Sequence, residues 1–321
     1  MRFSKILTTG VTMAMIAGMA LVMSASAGAE PRMGHDHMGE GHADHTATCT
    51  GTFASPGVLA GTYHSNVVVN GVCAVNGGPA LVFGSLTVSP GSTLDAAFAL
   101  NDAGSGASSL TVAGDVTVLQ GASALIGCEP NHYVCQDDPN QTTGTLTGQN
   151  RIFGSVRSFQ PLGVVMHSTT VGGDVFEGGG GGGVTCIPPA GSAFASVQPP
   201  SPAYSDYEDI TVGGNLGIIG LQTCWLGSLR DTVRGSIIDF NNTMADPDAG
   251  EVLQNTVGDD IACFGNSPAV QFGDSGASPN VVDGRAFGEC GFNVLSPDPN
   301  FGTGGSQPIS VKGTSSDDDE G

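Results

Sequence analysis

The stretch SLTVAGDVTV at residues 109–118 returns twice in altered form, as STTVGGDVFE at residues 168–177 and DITVGGNLGI at residues 209–218. Each copy places a Thr-Val pair shortly before a glycine and then resumes the alternation of apolar and polar residues. Alternation with a period of two puts successive side chains on opposite faces of a strand. We therefore expect two short strands per copy, joined at a glycine that permits a bend or a positive φ.

The valine of the Thr-Val pair sets the spacing of the repeat. From Val212 onward, matching valines follow at steps of 21, 24 and 25 residues, and the longer steps before Val212 are roughly multiples of that length. A period of about 20 to 50 residues is typical of a solenoid. The inward-pointing column is predicted to contain Val112, Val171, Val212, Val233 and Val257, with Val69 and Val282 as looser members.

Stacked repeats of this kind predict an all-β fold, a single right-handed parallel β-helix whose strands lie ~4.8 Å apart. The threonines before the column valines are expected to point outward. A β-sandwich or a propeller also contains many short strands and remains the alternative. Hairpin signals between the strands are few, and the Asn70-Gly71 pair is the best of them. The parallel β-helix is therefore favoured.

The amino-acid composition restricts the kind of core that the chain can form and the classes of partner that it can bind. Glycine accounts for 51 of 321 residues and aromatic residues for 6%, which favours a narrow aliphatic core with frequent turns. The formal net charge of -21 disfavours binding to nucleic acid or to anionic lipid.

The first residues have the layout of a secretory signal peptide. Arg2 and Lys5 precede an apolar run that ends in small residues, with cleavage expected after Ala27 or Ala29. The run is shorter than the ~20 residues of a membrane span. No second long apolar run follows it. We predict export, a chain without a membrane span after cleavage, and an extracellular or cell-wall location.

Eight cysteines follow the signal segment, and an even number in an exported chain indicates disulfides. Sequence order does not decide among the 105 connectivities that eight cysteines allow. Pairing of sequence neighbours is the working expectation: Cys49 with Cys73, Cys128 with Cys135, Cys186 with Cys224, and Cys263 with Cys290.

The rungs that begin at Thr111, Thr170 and Thr211 resemble the short turns of bacterial parallel β-helix proteins, including bactofilin-like polymers and adhesin passenger domains. The segment GDSGASPNVVDGRAFGECG at residues 273–291 also resembles the ending of exported bacterial proteins of unknown function. The resemblance covers about residues 60–292 and implies a shape. Bactofilins are cytoplasmic and lack signals and disulfides, so no activity and no catalytic residue follow from it.

Composition divides the chain into a signal peptide at residues 1–27, a His/Met-rich flexible arm at 28–48, a solenoid at 49–295 and a disordered acidic tail at 296–321. Two segments depart from the repeat and are expected to be loop excursions. The first lies near residues 128–150. The second, near residues 178–207, begins with a glycine run and continues with prolines.

The arm carries the sharpest cluster of metal-ligating side chains in the sequence. Imidazoles suit Cu, Ni and Zn, and thioethers suit Cu(I), so the arm is a candidate Cu or Zn site. The alternative is a solvated segment whose histidines bind nothing. The candidate ligands are His35, His37, His42, His45, Met33 and Met38.

Carbohydrate-active enzymes are also built on β-helices, and they need paired carboxylates or acidic calcium ligands. The acidic candidates for that chemistry are Asp259, Asp260 and Asp274. Asp260 and Arg285 each lie three residues past a column valine, which predicts an ion pair between adjacent coils. The Gly-Asp-Ser-Gly sequence at residues 273–276 is interpreted as a glycine turn, because no supporting histidine motif accompanies it.

These observations favour a secreted or cell-surface structural or adhesive protein without catalytic activity. Its expected partners are cell-wall or surface components, or further copies of itself through open strand edges. A carbohydrate-active enzyme and a metal-binding protein that works through the arm are the two alternatives.

Overall fold

The computed structural model describes residues 46–196, 200–272, 278–292 and 294–295. Nearly all its strands, numbered here in chain order, belong to three parallel sheets, and the chain visits the first, second and third sheet in turn before it begins the next coil. The predicted all-β, parallel β-helix fold is confirmed.

The three sheets contain ten, eight and ten strands. The first sheet is built from β1 (Ala47–Cys49), β4 (Val67–Val69), β7 (Leu86–Val88), β10 (Val116–Val118), β13 (Val156–Phe159), β16 (Val175–Gly178), β19 (Leu216–Ile219), β23 (Ile237–Phe240), β27 (Ile261–Phe264) and β29 (Ala286–Gly288). The second is built from β2 (Gly57–Val58), β5 (Val72–Ala74), β8 (Thr93–Ala96), β11 (Ser123–Ile126), β14 (Gly163–His167), β17 (Tyr204–Glu208), β21 (Trp225–Leu229) and β25 (Glu251–Leu253). The third is built from β3 (Gly61–Tyr63), β6 (Ala80–Val82), β9 (Leu110–Val112), β12 (Asn150–Ile152), β15 (Thr169–Val171), β18 (Thr211–Val212), β22 (Thr232–Val233), β26 (Thr256–Val257), β28 (Asn280–Val282) and β30 (Val294–Leu295).

The remaining elements are short. Strands β20 (Gln222–Thr223) and β24 (Thr243–Met244) pair with each other, α1 covers Ala193–Ser196, and one 3-10 turn covers Glu289–Phe292. Among the described residues, no helix is long and apolar enough to cross a membrane.

The valine column of the repeat forms one face of the core. Val171, Val212, Val233, Val257 and Val282 follow one another on adjacent strands of the third sheet, and all are buried. The threonines before the first four of these valines lie on the outer face, as predicted. The assignment of Val69 to this column is wrong, because Val69 pairs with Val88 in the first sheet. Inward-pointing valines alternate with outward-pointing residues in both the first and the third sheet, so the sequence pattern alone could not show to which sheet Val69 belongs.

The two longer steps of the repeat have different causes. Ile152 pairs with both Val112 and Val171, so a complete coil without the Thr-Val pair lies between these valines. Val171 and Val212 are direct neighbours, and the 41-residue step between them is therefore a single coil. Its extra length is the segment 179–203, and the coil between Val112 and Ile152 is lengthened by the segment 127–149.

The Gly-Asp pair of the repeat connects one coil to the next. Asp115 accepts a hydrogen bond from the backbone N–H of Ser155 at 2.8 Å, and the hydroxyl of Ser155 accepts one from the N–H of Asp174 at 3.1 Å. Asp174 in turn accepts the N–H of Asn215 at 2.9 Å. Coils approach so closely here that a Cβ on Gly214 would lie 2.3 Å from the Asp174 carboxylate. The glycine is thus required for space, and it does not have the positive φ that the sequence allowed.

A second polar ladder lies inside the coil. Asn242 accepts the N–H of Leu221 at 2.8 Å, and its own N–H donates to Asn266 at 3.0 Å. Asn255 and Asn280 repeat the arrangement at another corner, where the N–H of Asn255 donates to Asn280 at 3.0 Å. Buried amides therefore pair the backbone groups of the turns, which would otherwise lose their hydrogen bonds.

The four disulfides join Cys49–Cys73, Cys128–Cys135, Cys186–Cys224 and Cys263–Cys290, so the expected pairing of sequence neighbours is confirmed. The first and last of these lie among the first and last coils. The other two tie the segments 127–149 and 179–203. Four disulfides are consistent with an extracellular protein.

Those two segments give the second sheet an outer layer. Outward residues of the sheet, including Leu125 and Val165, are buried with Cys128, Cys135 and Phe194 of the excursions in a small apolar cluster separate from the main core. The second sheet is thereby covered on both faces over these coils. Polar side chains that would otherwise point into solvent are enclosed at this place.

Candidate functional site

The outer face of the first sheet carries a continuous group of apolar side chains, which we call the apolar face. Outward side chains alternate with buried ones along each strand, and two adjacent outward columns run from β13 to β29. Phe159 and Phe264 are each 47% exposed, and Ile219 is 37% exposed. The apolar face consists of Phe159, Phe176, Ile219, Ile238, Phe240, Phe264 and Phe287.

The rings of the apolar face are arranged in pairs. The centroids of Phe240 and Phe264 lie 5.5 Å apart, and those of Phe159 and Phe176 lie 6.1 Å apart. Six adjacent strands at ~4.8 Å spacing make the face roughly 24 Å long. None of the outward side chains on the ten strands of this sheet is acidic, although the chain contains 30 Asp and Glu residues. Depletion of charge and enrichment in aromatic residues are typical of the centre of a protein interface.

A second feature lies at the carboxyl ends of the second-sheet strands, where charged side chains are enclosed. We call it the ionic cluster, and its members are Glu129, His167, Asp206, Glu208, Asp209 and Arg230. His167 ends β14 and pairs in register with Glu208, which ends β17. Asp209 and Arg230 occupy the next position on successive coils, with positive φ values of 52° and 57°. Glu129 comes from the excursion that follows β11.

His167 is at the centre of the ionic cluster and is 1% exposed. Its Nδ1 lies 3.0 Å from Glu129 Oε1, and its Nε2 lies 3.1 Å from Asp206 Oδ2. The Tyr133 ring stacks on the imidazole with the centroids 4.9 Å apart. A histidine held between two carboxylates donates from both nitrogens, so the ring is an imidazolium.

Arg230 provides the second positive charge of the cluster. It contacts Glu208, and its Nε donates to Asp209 Oδ2 at 2.8 Å. Its Nη2 also lies 3.7 Å from Glu129 Oε1. His132, 46% exposed, approaches Glu208 from the solvent side at 3.8 Å. Two cationic side chains thus face four carboxyl groups, most of them enclosed.

The protonation of the cluster follows from burial and from these contacts. Burial opposes the charge on His167, but attraction and hydrogen bonding to Asp206 outweigh it and raise the pKa of His167 to about 10. Burial, together with the neighbouring Asp206, raises the pKa of Glu208 to about 7. The pKa of Glu129 is lowered despite its burial, because His167 and Ser168 donate hydrogen bonds to it.

Glu177 and Asp239 are buried carboxyls inside the coil, away from this cluster. Glu177 is fully buried and accepts hydrogen bonds from Ser205 and Tyr207, each at 2.8 Å. Burial raises the pKa of Glu177 to about 7 and that of Asp239 also to about 7. These groups have no route to a ligand outside the coil, and they affect the pH dependence of stability.

The candidate site residues named from the sequence fall into two groups: those outside the described residues, and two aspartates on the described coils. The arm ligands at residues 33–45, and Asp274 with the Gly-Asp-Ser-Gly turn, lie outside the described residues. Asp260 binds the backbone N–H of Arg285 at 2.8 Å and its side chain at 3.3 Å, which confirms the expected ion pair between adjacent coils. Asp259 is exposed. Asp260 is thus engaged in a surface ion pair.

A third group of potential ligands, Cys186, Cys224 and Asp246, holds no metal through sulfur, because the two cysteines form a disulfide. Trp225 beside this disulfide packs edge-on against Tyr204, with the ring centroids 6.3 Å apart. Trp225 and the disulfide therefore stabilise this region by packing.

Sequence reasoning missed both the apolar face and the ionic cluster. The phenylalanines of the face lie at irregular distances along the chain, and only the register of the coils aligns them. One local signal was present for the cluster: the motif Tyr-Ser-Asp-Tyr-Glu at residues 204–208 alternates, with two acidic residues on one side. The chain shows no match to any protein-family model, to any curated protein or to any solved structure.

Proposed function

We propose that this chain is an exported structural or adhesive protein without catalytic activity, and that it attaches to a cell-surface or cell-wall partner through the apolar face. The observation that carries the proposal is an acid-free, aromatic surface on a strongly acidic protein. An exposed apolar area of this extent on a soluble chain indicates an interaction site.

The fold suits this function because it presents a broad surface on a rigid support. The apolar face stands on strands whose backbone groups are paired on both sides, apart from the end strands of the sheet. Little conformational entropy is therefore lost when a partner binds, which favours affinity. The Cys49–Cys73 and Cys263–Cys290 disulfides brace the first and last coils against opening in an oxidising environment.

Export and attachment are supported by the signal-like first residues, and the resemblance of the rungs to adhesin passenger domains points in the same direction. The negative charge outside the apolar face keeps the free protein soluble and limits contacts elsewhere. Attachment would thus be confined to one surface of the molecule.

The test uses cells of the producing species from which the gene has been deleted. Purified, fluorescently labelled protein is added, and bound protein is measured as a function of concentration. The variant carries Phe159→Ser, Phe240→Ser and Phe264→Ser. Full burial of one such side chain is worth ~1.5 to 3 kcal/mol, so loss of three is expected to weaken attachment at least about 100-fold.

The matched control carries Phe83→Ser and Phe153→Ser. These two rings are 53% and 56% exposed but lie outside the apolar face. Circular dichroism establishes that all three proteins have the same fold. Attachment that survives the triple substitution, or that is lost equally in the control, contradicts the proposal. Sedimentation velocity on the same proteins shows whether a second copy of the chain is the partner.

A further inference from the structure

The ionic cluster has ligands for a cation that the proposed function does not use. Nδ1 of His167 and one carboxylate oxygen each of Glu129 and Glu208 lie within 4.8 Å of one another, and all three residues are buried. From Nδ1, the Glu129 and Glu208 oxygens are 3.0 and 3.9 Å away. Neighbouring ligand atoms around a small transition ion at ~2.0 to 2.2 Å have similar mutual separations.

The other side of the imidazole is already arranged as in a metal site. Asp206 accepts the Nε2 proton at 3.1 Å, and a carboxylate in this position fixes the orientation and tautomer of a ligating histidine. The Asp206 side chain is only 8% exposed, and its second oxygen has no hydrogen-bond partner. The carboxyl groups of the cluster thus outnumber its two cationic side chains, and a buried carboxylate is stabilised when it coordinates a metal ion.

We propose that Glu129, His167 and Glu208 form a binding site for a divalent first-row transition ion, with Asp206 as the residue that orients the imidazole. One nitrogen and two carboxylate oxygens suit Zn²⁺ and its neighbours in the series. Binding displaces the Nδ1 proton of the imidazolium, and this proton leaves to solvent as the ion enters.

Arg230 is the built-in competitor of this ion. Its guanidinium contacts Glu208 and lies 3.7 Å from Glu129, so it must withdraw before both carboxylates can turn to a metal. The side chain is 21% exposed and can move toward solvent. His132, 46% exposed and 3.8 Å from Glu208, marks the solvent side of the site and is placed to act as a further ligand.

The experiment is calorimetric titration with Zn²⁺ of the full chain carrying His35→Ala, His37→Ala, His42→Ala and His45→Ala, which removes the histidines of the arm. The expected result is uptake of one ion per chain. His167→Gln or Glu208→Gln in the same background abolishes it. Asp206→Asn weakens it about 10- to 100-fold, the loss typical of a removed outer-shell partner. Arg230→Gln strengthens uptake several-fold because the competing cation is gone.

The control is Asp259→Asn, which changes an exposed carboxylate outside the cluster and leaves uptake unchanged. No uptake by the arm-substituted protein overturns the proposal, as does uptake that persists in His167→Gln. If the cluster variants do not fold, the zinc K-edge X-ray absorption spectrum of the arm-substituted protein decides: imidazole nitrogen together with carboxylate oxygen supports the site, and a spectrum without imidazole overturns it.

Discussion

Glu177 allows a quantitative test of the packing inside the coil. Its carboxyl is fully buried between strands of the first and second sheets, where Ser205 and Tyr207 donate to it at 2.8 Å. Burial raises its pKa from 4.5 to about 7. At about 1.4 kcal/mol per pKa unit, ionisation of Glu177 in the folded protein therefore costs ~3 kcal/mol more than ionisation of a carboxyl whose pKa is unshifted.

The sign of the pH dependence follows from the raised pKa. The folded state holds the proton more tightly than the unfolded state, so the stabilising contribution is fully present below pH 4.5 and is lost as the pH rises through about 7. Glu177→Gln removes this titration, and the amide still hydrogen-bonds to both hydroxyl groups. We expect the variant to be ~3 kcal/mol more stable than the wild type at pH 8, and similar to it at pH 4.5.

The assay is urea unfolding with intact disulfides, followed by circular dichroism from pH 4 to pH 8.5 for wild type, Glu177→Gln and the exposed control Asp259→Asn. Asp239, which has the same direction of pKa change, still titrates in the variant and leaves part of the slope. The reasoning is refuted if Glu177→Gln keeps the full wild-type slope, or if it is less stable than wild type at pH 8.

Four further outcomes are expected. Leu216→Ala empties a fully buried position of the core and should cost about 3 kcal/mol in urea unfolding, whereas a cost under about 1 kcal/mol would contradict tight packing. Asn242→Ala leaves the Leu221 N–H without its acceptor and should cost about 2 kcal/mol or more, measured in the same way. Arg285→Gln breaks an exposed ion pair with Asp260 and the stacking of the guanidinium over the Phe287 ring and should change stability by less than about 1 kcal/mol, so a larger effect would contradict a surface role. Full-length protein should take up Cu²⁺ or Zn²⁺ through the arm, and calorimetry should show that changing the four arm histidines to alanine removes this share of the uptake and leaves the one ion assigned to the ionic cluster; total uptake that stays unchanged would mean that the arm histidines bind no metal.

The fold was predictable because residues that point into the coil must be apolar in every repeat. Val112 and Val171 point inward, whereas Thr111 and Thr170 point outward, where a polar side chain is tolerated. The alternation of apolar and polar residues is therefore visible in the sequence itself. Sequence order did not decide the disulfide pairing, and the pairing of sequence neighbours is right because each pair lies within one coil or in adjacent coils. The sheet to which Val69 belongs was not predictable, because inward-pointing valines follow the same alternating pattern in more than one sheet.

The apolar face and the ionic cluster could not be predicted from the sequence, because both depend on how successive coils align. Glu129 and His167 are 38 residues apart and meet only because one coil carries an excursion. Phe159 and Phe264 share a face through the register of four successive strand pairings, in which insertions change the spacing along the chain. Contacts between coils depend on loop lengths, and the sequence pattern constrains those lengths weakly.

The central claim is that the apolar face is the attachment surface, and hydroxyl-radical footprinting of the phenylalanines tests it most directly. Oxidation of each ring is measured by mass spectrometry in the free protein and in protein attached to cells. We expect protection of Phe159, Phe240 and Phe264 on attachment, with Phe83 and Phe153 oxidised as in the free protein. Equal oxidation of the first three rings in both states, or protection of Phe83 and Phe153 instead, would contradict it.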